Sequence, residues 1–221
     1  MHASSKLIPL LLFAFLFAPA PAQPQVLSSP GEKNHLDFEV LGTVADGNLK
    51  GVTRDRKLTT FELAYRRTLT QHRVAAVDFK SAIVPLAILR EPFLRGADAQ
   101  LLQSVPPFTQ MRNSFGLGAK PLGGAVRFLP ERRFQPFVEI DGGFLYFNRN
   151  VLSEHAAQFN FTLEGRTGVC FPLGREQSIV AGYAFLHMSN AYTAAENPGV
   201  DAHMLFFAYS IPFPHVLSRK H

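Results

Sequence analysis

His187, Ser189 and Asp201 are the residues of this sequence whose types and spacing could do chemistry. They lie in FLHMSNAYTAAENPGVD, residues 185–201, with histidine and serine two positions apart and the carboxylate twelve positions after the serine. An apolar segment with strand character, Ser178 to Leu186, runs into the stretch, and another, Ala202 to Phe213, leaves it. Between them Glu196-Asn197-Pro198-Gly199 is a turn signal, so the stretch reads as the tip of a β-hairpin. Alternate residues of a strand face one side, which sets His187 beside Ser189, and the hairpin returns Asp201 next to them. A hydroxyl, an imidazole to take its proton and a carboxylate to orient the imidazole are the minimum for acyl transfer through serine.

The same stretch resembles the lipid A 3-O-deacylases, the acyloxyacyl hydrolase-like outer-membrane family. The likeness is carried by His187-x-Ser189-Asn190, the Asn-Pro-Gly loop and the acid twelve positions past the serine, and it covers Phe185 to about Tyr209. The resemblance implies an eight-stranded outer-membrane barrel whose serine hydrolase removes the 3-position acyl chain of lipid A. His187 would be the base, Ser189 the nucleophile and Asn190 an oxyanion donor; lipopolysaccharide would be the substrate, and no cofactor or metal is implied. The best-known members carry Glu as the orienting acid, whereas this chain has Asp201. A side chain one methylene shorter needs a slightly closer strand or a shifted histidine. Glu196, in the loop, is the alternative acid.

Such a site must be exported and held in a wall of strands. The N-terminus reads as a secretory signal: Lys6, the uncharged run Leu7 to Ala18, and Ala20-Pro21-Ala22 as a small-residue cleavage site. That run is too short for a spanning helix, which needs about 20 residues. Residues 1–22 are therefore set aside, 23–33 read as a disordered lead-in, and 34–221 form one barrel domain. Cys170 is the only cysteine, so no intramolecular disulfide forms, and its position argues against a lipid-anchored lipoprotein. Charged residues are only 18% of the chain, there are 21 Phe and no Trp, and no later apolar run reaches helix length. An exported chain of many short alternating apolar segments fits an all-β transmembrane barrel. The net charge of +5 suits anionic lipid phosphates better than nucleic acid in an exported protein. Scattered solvated Lys and Arg account for it equally well.

Eight antiparallel strands are expected, near 35–45, 58–68, 73–84, 113–128, 136–147, 158–171, 178–189 and 201–213. Residues 85–111 read as a long irregular loop, a lid or a passive excursion, and Pro121 with Gly123-Gly124 as a bend. Connections near residues 70, 131 and 175 are short and the others longer, the asymmetry of outer-membrane barrels. The hairpin tip belongs to the long set and so to the extracellular rim. By parity His187 and Ser189 share a face with Ile179, Tyr183 and Phe185, and Asp201 shares one with Leu205, Phe207 and Tyr209. The site is thus expected on the outer, lipid-facing wall.

The remaining histidines show no zinc-ligand spacing, and the Gly116-x-Gly118 and Gly142-Gly143 pairs precede no helix, which excludes phosphate loops. His203 shares the Asp201 face and could line the site. The rival reading is a non-catalytic eight-stranded barrel (an adhesin, scaffold or small pore), in which Ser, Asn and Asp are ordinary turn residues. Oligomeric state is not legible.

Overall fold

The computed structural model of the protein describes residues 34–51, 53–92, 110–174 and 177–213. The strands are β1 (Asn34–Asp46), β2 (Lys57–Gln71), β3 (Ala75–Pro92), β4 (Met111–Phe128), β5 (Gln135–Phe147), β6 (Phe159–Gly174), β7 (Gln177–Ser189) and β8 (Val200–Pro212). Each pairs antiparallel with its sequence neighbours, and β8 pairs with β1 to close a barrel. This is the expected fold class. The signal segment, the lead-in, residues 93–109 of the long loop and the tail past Phe213 lie outside the described residues.

One boundary is corrected. β3 does not end at Val84 but runs on to Pro92. Pro85 is absorbed where the register against β4 slips between Val84 and Ala87, the kind of place where a missing N–H is tolerated. Beyond it Ala87 and Leu89 point inward and are fully buried. The bend expected in β4 is present: the register slips around Pro121 against both β3 and β5.

Alternation decides what faces where. Phe38, Val40, Phe61, Leu163, Leu205 and Phe207 are exposed on the outer wall, while Glu39, Glu62, Lys80 and Arg166, in alternate register, are buried inside. Charged inside and apolar outside is the pattern of a barrel solvated by lipid.

The lumen is layered. Across its middle, Arg166 pairs with Glu39 (2.6 Å), Glu62 (3.0 Å) and Glu164. Lys120 pairs with Glu62 (2.7 Å) and Glu164 (2.9 Å), and Lys80 with Glu39 and Glu139 (2.8 Å each). Buried ions survive only with such partners. Towards the hairpin tip the layer turns apolar: Leu41, Leu58, Leu89, Phe147, Leu186, Met188 and Met204 are buried, and the β5–β6 loop adds Val151 and Leu152. Among the described residues the lumen is therefore a packed core, and it forms the floor beneath the hairpin.

Candidate active site

β7 and β8 place the predicted residues by register. His187 pairs with Asp201, Met188 with Val200 and Phe185 with His203. On the other side of β7, His187 meets Leu163 and Ser189 meets Phe161 of β6. Leu186 and Met188 occupy the lumen, so the side chains of Phe185, His187 and Ser189 take the outer face.

Asp201 accepts a hydrogen bond from His187 Nδ1 on Oδ1, at 2.6 Å. Its other oxygen, Oδ2, accepts from the backbone N–H groups of Lys50 (2.6 Å) and Gly51 (2.8 Å). Three donors converge on a carboxylate with 0% exposure, the setting of an ionised acceptor. Its partner imidazole keeps a side-chain exposure of 25%. With Nδ1–H held by the acid, Nε2 carries the lone pair and can act as a base. Nε2 has no hydrogen-bond partner among the described residues.

Ser189 is the last residue of β7 and is half-buried. It lies about 6.7 Å along the strand from His187, on the same face. Its Oγ has no partner among the described residues. Ser189 Oγ and His187 Nε2 are not hydrogen-bonded to each other. Glu196, the alternative acid, has no side-chain bond to His187 among the described residues; its backbone N–H donates to His155 O and its backbone carbonyl accepts from Asn190. The acid that touches His187 is Asp201.

Asn190 begins the loop and is 1% exposed. Its Nδ2 donates to Glu196 O (2.6 Å), its Oδ1 accepts from Tyr192 N–H (3.0 Å), and its backbone N–H donates to Asn197 Oδ1 (2.9 Å). Asn190 thus braces the hairpin tip, keeping one amide hydrogen in reserve. Ala191 and Tyr192 turn left-handed (φ 51° and 61°), which ends the strand and frees Asn190 from its alternation.

Sequence reasoning missed several contributors. The β1–β2 loop covers the acid with the N–H groups of Lys50 and Gly51, and Thr53 Oγ1 donates to Gly199 O (2.7 Å). Gly199 has φ +58°, the left-handed turn conformation that glycine adopts without strain, and a Cβ there would lie in ordinary contact with His187 Cε1, at 3.5 Å. Asn197 places its amide beside Asn190, with Oδ1 pinned by the Asn190 N–H and Nδ2 without a partner among the described residues. His203, which shares the Asp201 face, pairs with Phe185 in register, with Nδ1 bonded to Tyr183 OH and its ring edge-on to Phe185.

A family model described as lipid A 3-O-deacylase (PagL) matches residues 94–210. The crystal structure of the outer membrane enzyme PagL superposes with a TM-score of 0.51 at 18% identity, covering 80% of this chain and 99% of that one. Neisserial surface protein A (NspA) superposes with a TM-score of 0.45 at 11% identity, covering 82% and 97%. No curated protein matches the chain.

Proposed function

The chain belongs to the lipid A 3-O-deacylase (PagL) family, and from that premise we propose that it is a serine esterase of the outer membrane that removes the 3-O-linked acyl chain of lipid A. The family and the barrel indicate a lipid A deacylase of the bacterial outer membrane. The finer reading rests on one observation. An imidazole backed by a buried carboxylate stands on the outer face of the wall, two residues from a serine whose hydroxyl has no partner among the described residues.

In this reading Ser189 Oγ attacks the ester carbonyl while His187 Nε2 takes its proton. Asp201 remains ionised, holds the ring in the required tautomer and stabilises the imidazolium. The charge that develops on the carbonyl oxygen meets amide donors: the reserve hydrogen of Asn190 and the Nδ2 of Asn197. Each donor of this kind typically contributes about 10²–10³ in rate. The imidazolium returns its proton to the departing sugar hydroxyl. Water, deprotonated by the same nitrogen, then releases the fatty acid and restores the serine.

The substrate approaches along the wall, not through the lumen, because the residues flanking His187 and Ser189 are the outward Phe161, Leu163 and Phe185. We place the hairpin tip at the extracellular rim, where lipid A occupies the outer leaflet. The test is incubation of the folded protein with lipopolysaccharide and measurement of released 3-hydroxy fatty acid. Release by the wild type and none from Ser189→Ala is the expected result. No release from the wild type, or equal release from the variant, would overturn the reading.

A further inference from the structure

We infer that the β1–β2 loop is part of the catalytic apparatus: Gly51 and Thr53 are positioning residues that clamp Asp201 and Gly199 and fit the site to an aspartate, not to a longer acid. The inference rests on the esterase reading above.

Loop and acid are joined at several points. Gly47 N–H donates to Asp201 O at 2.8 Å, extending the β1–β8 ladder one residue beyond Asp46. The chain then folds back over the carboxylate, and the N–H groups of Lys50 and Gly51 converge on Oδ2. Thr53 follows, holding Gly199 O through its hydroxyl (2.7 Å) and its N–H (3.4 Å). The loop is braced from within by Asp46 Oδ2, which accepts from Asp55 N–H at 2.8 Å.

Two glycines make the approach possible. A Cβ on Gly51 would fall on Asp201 N and lie 2.6 Å from the Val200 carbonyl carbon, both of them backbone atoms that cannot swing aside. A Cβ on Gly47 would lie 2.6 Å from Asp201 Cβ and 2.9 Å from the Phe185 ring. With side chains at these positions the loop would stand off and its N–H groups would lose the carboxylate.

The clamp does three things. Two donors on Oδ2 stop the carboxylate from rotating and leave Oδ1 alone for the imidazole. The grip of Thr53 on Gly199 fixes the left-handed turn residue that packs beside His187 Cε1. The closed loop also leaves no space for another methylene. A glutamate would carry its carboxyl group into the Lys50–Gly51 backbone, so either the loop lifts or the acid leaves the histidine. The shorter acid and the close loop therefore belong together.

The experiment compares wild type with Gly51→Ala, Thr53→Val, Thr53→Ser and Asp201→Glu. Fatty acid release from lipopolysaccharide gives kcat and KM, and the labelling rate by an alkyl fluorophosphonate reports serine activation without the lipid substrate. Heat-modifiable gel migration confirms that each barrel is folded. Gly51→Ala and Asp201→Glu are expected to lower kcat about 10- to 100-fold, the scale of a misplacement near 1 Å. KM should stay within about twofold and labelling should slow in parallel, because the clamp acts on the base and not on substrate binding. Thr53→Val should lose activity in the same manner and Thr53→Ser should recover it. Wild-type kcat in Gly51→Ala and Thr53→Val, or full activity in Asp201→Glu, overturns the clamp while the Ser189-dependent release stands. A wild type that neither deacylates nor labels overturns both.

Discussion

In an Asp201→Asn variant the side chain keeps its size and exchanges one oxygen for an NH2 group. The loop decides which way that amide turns. Lys50 and Gly51 direct two N–H donors at one position, so the amide oxygen must take it and the NH2 must face His187. There it donates to Nδ1, the atom that in the wild type lies 2.6 Å from a carboxylate oxygen. A ring that accepts at Nδ1 carries its proton on Nε2, the atom that should receive the proton of Ser189. The base is lost with the geometry intact. In a serine protease triad the equivalent exchange costs about 10⁴ in kcat, which corresponds to about 5.4 kcal/mol of transition-state stabilisation. The same loss is expected here, because two fixed donors leave the amide no alternative orientation. The assay is fatty acid release from lipopolysaccharide under single-turnover conditions, with gel migration confirming a folded barrel. Activity within tenfold of wild type would refute the argument. It would mean either that the imidazole does not depend on the acid for its tautomer or that the loop does not control the carboxylate.

Asn197→Ala should lower kcat about 10²–10³-fold if its amide meets the oxyanion, with little change in gel migration; unchanged kcat would remove it from that role. Asn190→Ala should cost a similar factor and also loosen the hairpin tip, seen as faster proteolysis of the 190–199 loop in the folded barrel. Gly199→Ala places a Cβ in the left-handed region next to His187, at about 1–2 kcal/mol of strain, and should slow fluorophosphonate labelling of Ser189. In the lumen, Arg166→Met takes one of two cations from each of Glu39, Glu62 and Glu164, leaving Glu39 on Lys80 and the other two sharing Lys120. The loss expected is about 3–5 kcal/mol of stability, measured by urea unfolding in lipid vesicles.

The strands were legible because lipid outside and packed charge inside impose a two-residue alternation that survives in the residue types. Phe61 and Leu63 against Glu62 and Ala64 on β2 are enough to see it. The His187–Asp201 pair was legible for the same reason: parity and a turn signal place both on one face of one hairpin. The clamp was not. Its partners are 150 and 151 residues away from Asp201, and its donors are backbone N–H groups, which every residue but proline owns. Only Gly47 and Gly51 hinted at a close approach, and a polar loop with glycines is too common a pattern to read. Asn190 was legible only in part. Its residue type suits an oxyanion donor, but the bonds to Glu196, Tyr192 and Asn197 that brace the tip and leave one amide hydrogen over show only in the folded loop. The third strand is expected to end at Val84, whereas the register slip that carries β3 past Pro85 is a property of two strands together.

The site on the outer face is secured by what lies on the inner one. Shifting β7 by one residue against its neighbours would exchange every side chain between the two faces. His187 would then enter the apolar layer held by Leu41, Leu58, Phe147 and Met204, and Leu186 and Met188 would leave it. An imidazole without a partner would be buried, at a cost of several kcal/mol for its polar nitrogens alone, and two large side chains would give up their packing at about 2–5 kcal/mol each. The ladder on β8 would lose the pairing of His187 with Asp201 in the same slip. The charged layer below adds its own constraint, since Glu164 and Arg166 of β6 find their partners on β1, β2 and β4 in only one register. A packed and ion-paired interior is thus what fixes, to within one residue, the face on which the proposed chemistry occurs.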